Sequence, residues 1–138
     1  MAAHDIFHEA VRNALVKDGW TITHDPLALS FGEIDLYIDL GAERVLSAER
    51  EGQRIAVEVK SFIGPSFVSN FHAALGQFLN YRLALEMSDA QRQLYLAVPS
   101  DVYSAFFLLP FIQAAIRRYQ LKLLVFDDER EEITQWPS

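Results

Sequence analysis

Two predicted strands are separated by a helix that is long enough to cross back over a β-sheet. Residues 54–62 alternate between apolar and polar side chains, as a strand does, and the apolar run 92–98 is typical of a buried strand. Between them, Phe67, Phe71 and Phe78 recur at helical spacing and predict a helix over residues 66–87. A helical crossover of this kind constrains the chain to a layered sheet-and-helix fold.

The remaining segments predict further strands and helices. The first helix is predicted over residues 5–18, and Pro110 precedes a helix that reaches Tyr119. Further strands are predicted at 20–24, 34–40, 44–50, 121–126 and, as an edge strand, within 131–138, with a hairpin turn at 51–53. The order predicts one α/β (α+β) domain over residues 1–138, a mixed sheet with helices on both faces.

Composition excludes several classes of protein. The chain has no cysteine, so it has neither disulfides nor thiolate metal ligands. No run approaches the roughly 20 apolar residues of a membrane span, and no secretory signal begins the chain, so we expect a cytoplasmic protein. The net charge of −7 argues against indiscriminate binding to nucleic acid, although Arg117, Arg118 and Lys122 form a candidate basic patch.

Glu58 and Lys60 are the residues most suggestive of chemistry. Alternation places both on one face of their strand, together with Ala56. Taken alone, this short motif indicates a solvated strand face. With Asp39 at the end of the preceding alternating strand, it indicates a site for Mg²⁺ or Mn²⁺, in which Lys60 acts on the attacking water and on developing charge. Asp35 shares the polar face of Asp39 and is the alternative ligand.

Helical residues supply further candidates. Gln77 and Tyr81 are four residues apart on the second helix, so they share a face that is either functional or an ordinary buried polar pair. Gly76 beside them suggests a close approach to the sheet. Glu9 lies on a partly apolar stripe of the first helix, although by itself it indicates an exposed carboxylate.

Histidines offer no complete metal site. His4 and His8 have the spacing of i and i+4, but no third ligand is evident, and we interpret the pair as surface residues near a frayed helix end. His24 and His72 are interpreted as structural.

Much of the chain resembles one family, in strings that run nearly from end to end. These are Asp-Ile-Phe-His at 5–8, Asp-Gly-Trp-Thr-Ile-Thr-His-Asp at 18–25, Asp-Leu-Gly-Ala-Glu at 39–43, Ser-Ala-Glu at 47–49, Ile-Ala-Val-Glu-Val-Lys-Ser-Phe at 55–62 and Ala-Leu-Gly-Gln-Phe-Leu-Asn-Tyr-Arg at 74–82. They are similar to the XisH family, whose members are called fdxN-element excision controlling factors.

The resemblance implies a restriction-endonuclease-like fold and a role in controlling programmed excision of a DNA element, alongside a small partner called XisI. It also implies the site residues of the wider PD-(D/E)xK nuclease superfamily, namely Asp39, Glu58 and Lys60, with Gln77 and Tyr81 on the second helix and Glu9 on the first. Ile38 stands where that motif has proline, which leaves the choice between Asp39 and Asp35 open.

Two functional hypotheses follow. The first is a Mg²⁺-dependent DNA nuclease, and the second is a catalytically silent module that acts through an XisI-like protein or as a homodimer. The second draws on the apolar segment at 105–112, part of which we expect to be exposed, with Phe107 as its probe.

Overall fold

The computed structural model describes residues 2–31, 34–36 and 45–137, with side chains for residues 7–28 and 46–137. The helices are α1 (Ala2–Lys17), α2 (Phe67–Ser88), the short α3 (Ser100–Val102), a π-helical turn (Tyr103–Phe107) and α4 (Pro110–Tyr119). The strands are β1 (Thr21–His24), β2 (Leu29–Phe31), β3 (Ile34–Leu36), β4 (Val45–Arg50), β5 (Gln53–Val59), β6 (Gln93–Pro99), β7 (Leu123–Asp127) and β8 (Glu132–Gln135).

Six of these strands form one mixed sheet in the order β1-β4-β5-β6-β7-β8. The pairs β5/β6 and β6/β7 are parallel, and the other neighbours are antiparallel. Strands β4 and β5 form a hairpin whose turn residues Glu51 and Gly52 both have positive φ, 52° and 83°, as the tight turns of twisted hairpins require. The predicted hairpin and the predicted helical crossover between β5 and β6 are both confirmed.

Strand β5 separates two hydrophobic cores. Ile55, Val57 and Val59 pack with Ala10, Val11 and Leu15 of α1 on one side of the sheet. Ala56 faces the other side and packs with residues of α2, the π-helical turn and α4. Alternation therefore works as the sequence predicts, and helices cover both faces of the sheet.

The helix ends follow from local chemistry. Ser66 caps α2, where its hydroxyl oxygen accepts a hydrogen bond of 3.1 Å from the backbone N–H of Ser69. Pro110 begins α4, and Gln120 ends it in the left-handed conformation with φ 54°. In the described part of the chain, every helix is too short or too polar to span a bilayer.

Two sequence-based expectations are corrected, and a third is described only in part. The strand predicted at 34–40 is confirmed at Ile34–Leu36, where it pairs in a separate two-stranded sheet with β2, a strand that was not predicted, and residues 37–40 lie outside the described residues. The strand predicted at 54–62 ends at Val59, and Phe62 takes a positive φ of 60° that turns its ring into the α2-side core. A Cβ at Gly76 would meet no atom within 4 Å, so this glycine does not mark a close approach to the sheet.

The apolar segment 105–112 divides between the core and the surface. Phe106, Phe107 and Ile112 are buried, whereas Leu108, Leu109 and Phe111 are exposed. The π-helical turn ends at Phe107 and α4 begins at Pro110, so the segment is not one continuous helix. Its apolar residues therefore do not form a single buried stripe. Phe107 is 0% exposed and is the wrong probe for a surface, while Phe111, at 74%, is the right one.

Candidate functional site

Glu58 is the most deeply buried carboxylate among the described side chains. It is the penultimate residue of β5, paired with Val45 of β4 on one side and Leu96 of β6 on the other, and it is 1% exposed. The solvated-face interpretation of the sequence is therefore wrong for Glu58. Burying a charged carboxylate costs several kcal/mol unless the charge is compensated, and a bound cation is one form of compensation.

Lys60 continues the strand beyond its last regular residue. Its backbone N–H donates a hydrogen bond of 3.1 Å to the carbonyl oxygen of Ala97 on β6, which extends the parallel pairing by one step. Because the extended pairing preserves alternation, Lys60 lies on the same side of the sheet as Glu58, and it is half-buried. A carboxylate and an ammonium group thus share the carboxyl end of β5, where α/β folds commonly bind ligands.

An ion-pair cluster joins the end of α2 to β5. Asp89, the residue that ends α2, accepts a bond of 2.9 Å from Arg54 at the start of β5 and one of 3.0 Å from Arg92. Arg92 is buried and also donates to the carbonyl oxygen of Ile55. We refer to Arg54, Asp89 and Arg92 as the Asp89 clamp. The clamp ties the carboxyl end of α2 to the amino end of β5.

Helix α2 packs on the side of the sheet that Glu58 faces. Tyr81 is buried in the same core as Ala56, and Gln77 lies one turn away on the same helix face, half-buried. Gln77 and Tyr81 therefore lie on the Glu58 side of the sheet.

Of the other predicted site residues, Glu9 alone has a described side chain. Asp39 lies outside the described residues, so its contact with Glu58 stays a prediction. Asp35 is described by its backbone alone, in β3 opposite Ser30. Glu9 is exposed on α1, the helix that covers the opposite face of the sheet from Glu58. Within the ranges that the structure describes, no three His, Asp or Glu side chains are grouped to hold a metal ion.

The side chain of Ser47 is a polar group on the Glu58 face that the sequence analysis did not identify. Ser47 of β4 is completely buried and pairs with Ala56, so it projects to the same side of the sheet as Ala56 and Glu58. Its hydroxyl group contacts Nδ1 of His24 at 2.8 Å and the hydroxyl of Thr23, both on β1. Its signal in the sequence is the hairpin itself, because the register of the two strands places Ser47 opposite Ala56. Polar chemistry on this face thus extends across β4 to β1.

His8 requires a correction, because it is buried and not a surface residue. Its Nε2 lies 2.8 Å from Oδ1 of Asp25, and Arg12 donates to Oδ2 of the same carboxylate. His8 and Arg12 are four residues apart on α1, so they face Asp25 together. This contact fastens α1 to the chain that leaves β1. No sequence motif predicts the contact of Asp25 with His8 and Arg12, because Asp25 is distant from α1 along the chain.

Comparison with known proteins places these features in a family. The family model described as XisH protein matches residues 1–134. The chain belongs to the XisH family. It is similar to the crystal structure of an XisH family protein from Nostoc punctiforme, with 50% identity, a TM-score of 0.89, and coverage of 97% of this chain and 100% of that one.

A second XisH structure agrees with the first. An fdxN element excision controlling factor protein from Anabaena variabilis has 51% identity and a TM-score of 0.90, with coverage of 97% of this chain and 99% of that one. No curated protein sequence gives a significant match. The resemblance seen in the sequence is thus confirmed, as is the mixed sheet with flanking helices.

The Asp89 clamp gives the first testable prediction for this XisH protein. Asp89→Ala should lower the free energy of unfolding by about 3 kcal/mol, because it leaves the buried Arg92 guanidinium without its carboxylate. The matched control is Asp18→Ala, which removes the exposed carboxylate paired with Arg50 and should cost about 1 kcal/mol or less. Urea denaturation measures both. Equal losses in the two variants would show that the clamp does not hold α2 in place.

Proposed function

We propose that this protein is a metal-dependent, DNA nuclease-like protein that acts in the control of excision of a DNA element in the cytoplasm. The observation that carries the proposal is the burial of Glu58 at the carboxyl end of β5. Lys60 is the first residue after that strand. The Anabaena variabilis relative is named as an fdxN element excision controlling factor, which supports the excision role. The nuclease chemistry rests on the residues themselves.

The residues of the site suit a hard divalent cation. Carboxylate oxygens are the ligands that Mg²⁺ and Mn²⁺ prefer, and Mg²⁺ keeps several waters, so a pair of carboxylates is sufficient. We assign Glu58 and Asp39 as the pair, with Asp35 as the alternative to Asp39. When bound, the ion would supply Lewis-acid polarisation of a phosphate oxygen.

The other residues have roles that follow from their chemistry. Lys60 provides a positive charge beside a phosphodiester and stabilises the charge that develops on its oxygens. Gln77 can donate an amide hydrogen bond to a phosphate oxygen or a water, and the Tyr81 hydroxyl can orient that amide. Glu9 contributes least, since it is exposed on the other helical layer. Together these groups bind, orient and neutralise a phosphodiester.

Metal binding should depend on Glu58. We expect Mn²⁺ to bind weakly to the wild type and not to Glu58→Ala, because one carboxylate alone offers too few hard oxygens. Titration calorimetry measures the heats, with Glu49→Ala as the control, since Glu49 is an exposed carboxylate on the neighbouring strand. Equal binding by wild type and Glu58→Ala would refute the assignment of the ligand.

Cleavage should depend on Lys60. If the protein hydrolyses DNA with Mg²⁺ or Mn²⁺, Lys60→Ala should reduce the rate by about a hundredfold or more while the circular dichroism spectrum and Mn²⁺ affinity remain unchanged. Lys17→Ala, which removes an exposed lysine of α1, should cleave like the wild type. Plasmid nicking at an undiminished rate by Lys60→Ala would assign the activity to another site or to a contaminant.

A second candidate function is a regulatory module that acts through a protein partner. The observation that favours it is the exposed apolar surface of Leu108, Leu109 and Phe111 around the start of α4, which we call the α4 apolar patch. An XisI-like protein is the partner that we propose, with a homodimer as the alternative. Both functions are compatible, since the patch and Glu58 belong to different elements.

The α4 apolar patch is tested by charge insertion. Phe111→Asp should abolish co-purification with a co-expressed XisI-like protein without unfolding the chain, because Phe111 is largely exposed. Met87→Asp is the matched control, since Met87 is a comparably exposed apolar residue on α2. Size exclusion with light scattering reports both the complex and any homodimer. A complex that survives Phe111→Asp would exclude this patch as the interface.

A further inference from the structure

A groove of about 690 Å³ opens at the amino ends of β6 and β7. Its lining includes Arg82 and Glu86 of α2, Arg117 of α4, Lys122 before β7, Tyr95 of β6 and Trp136 after β8. We call it the Trp136 groove. Its volume is in the range of ligand pockets, and none of Glu58, Lys60, Gln77 and Tyr81 lines it.

The cations of the Trp136 groove differ from other arginines of the protein. Arg12, Arg50, Arg54 and Arg92 each form an ion pair with an aspartate. Among the described residues, by contrast, no carboxylate lies within 4 Å of the charged groups of Arg82, Arg117 or Lys122. Three positive charges line the groove against one carboxylate, Glu86, so the local charge is positive in a chain of net charge −7 and attracts an anion.

Arg82 is held in position before any ligand binds. Its Nη1 donates to the carbonyl oxygens of Tyr119 at 2.9 Å and Gln120 at 3.0 Å, where α4 ends. Its guanidinium also lies 5.4 Å from the centre of the Phe78 ring. These contacts use one nitrogen of a group with five N–H donors, so donors remain for an anion. A fixed arginine loses less conformational entropy when it binds.

Two aromatic rings give the groove a stacking surface. Tyr95 and Trp136 are half-buried, with ring centres 5.0 Å apart in an edge-on arrangement. Trp136 is further fixed by Trp20, whose ring centre is 5.9 Å away. Burial raises the pKa of Tyr95, so its hydroxyl stays protonated and can donate a hydrogen bond. Both rings line the groove together with Arg117 and Lys122.

We propose that the Trp136 groove binds a nucleotide unit, with its phosphate between Arg117, Lys122 and Arg82 and its base against Trp136. Cations beside a partly exposed aromatic ring match the two parts of a nucleotide, as in proteins that bind single strands. A groove of this size admits a base and a phosphate but no duplex. Glu86 opposes the anion and limits its affinity. The proposal does not depend on metal binding at Glu58.

The test measures binding of fluorescein-labelled dT10 in EDTA, where no metal-dependent cleavage occurs. Arg117→Gln combined with Lys122→Gln should weaken binding by roughly tenfold or more, and lower the slope of log K against log salt by about 1.4, as expected for two lost phosphate contacts to a single strand. Arg118→Gln is the control, because Arg118 is an adjacent, exposed cation that does not line the groove. Glu86→Gln should tighten binding.

Tryptophan emission and a free nucleotide complete the test. Unlabelled dT10 should quench the emission of Trp136, because Trp20 is 3% exposed and inaccessible to a base. Competition by dTMP at comparable affinity would identify a free nucleotide as the ligand, and its failure to compete would identify a strand. Unchanged binding by the Arg117/Lys122 variant, equal weakening by Arg118→Gln, or unquenched emission would each overturn the proposal.

Discussion

The fold depends on β5, a central strand that is buried on both faces. Ile55, Val57 and Val59 contact α1, while Ala56 contacts the layer of α2 and α4. Because helices cover both faces, a polar side chain on β5 has no access to solvent in the middle of the strand. Glu58 is therefore a constraint on the whole site, because its charge has to be compensated within the protein or by a ligand.

Most of the layered architecture could be predicted from the sequence, since it follows from local signals. The hairpin of β4 and β5 comes from alternation and a tight turn at Glu51–Gly52, and the crossover comes from the apolar spacing of α2. Glu58 and Lys60 could also be assigned to one face of their strand, and Gln77 and Tyr81 to one face of their helix, because the periods of strand and helix determine which residues share a face. The chemical roles expected for these residues came from the family resemblance, because periodicity alone does not indicate a role.

The features that could not be predicted arise from contacts between distant parts of the chain. His8 has the spacing of a surface pair, and only the return of the chain after β1 brings Asp25 to it. Phe107 and Phe111 are four residues apart in one apolar run, yet the π-helical turn and Pro110 bury the first and expose the second. Gly76 suggested a close approach of α2 to the sheet, but a Cβ at this position would meet no atom within 4 Å. In each case, residue type was uninformative until tertiary packing was known.

The distribution of charge makes an acidic protein compatible with the proposed binding of nucleic acid. Four arginines are paired with three aspartates, Asp18, Asp25 and Asp89, so most of their charge is compensated within the protein. The cations around the Trp136 groove are not paired with a carboxylate in this way, and they line one groove. A strongly negative remainder disfavours contact with duplex DNA elsewhere on the surface. The net charge therefore argues only against indiscriminate binding of nucleic acid. It favours binding of phosphate at the Trp136 groove over binding elsewhere on the surface.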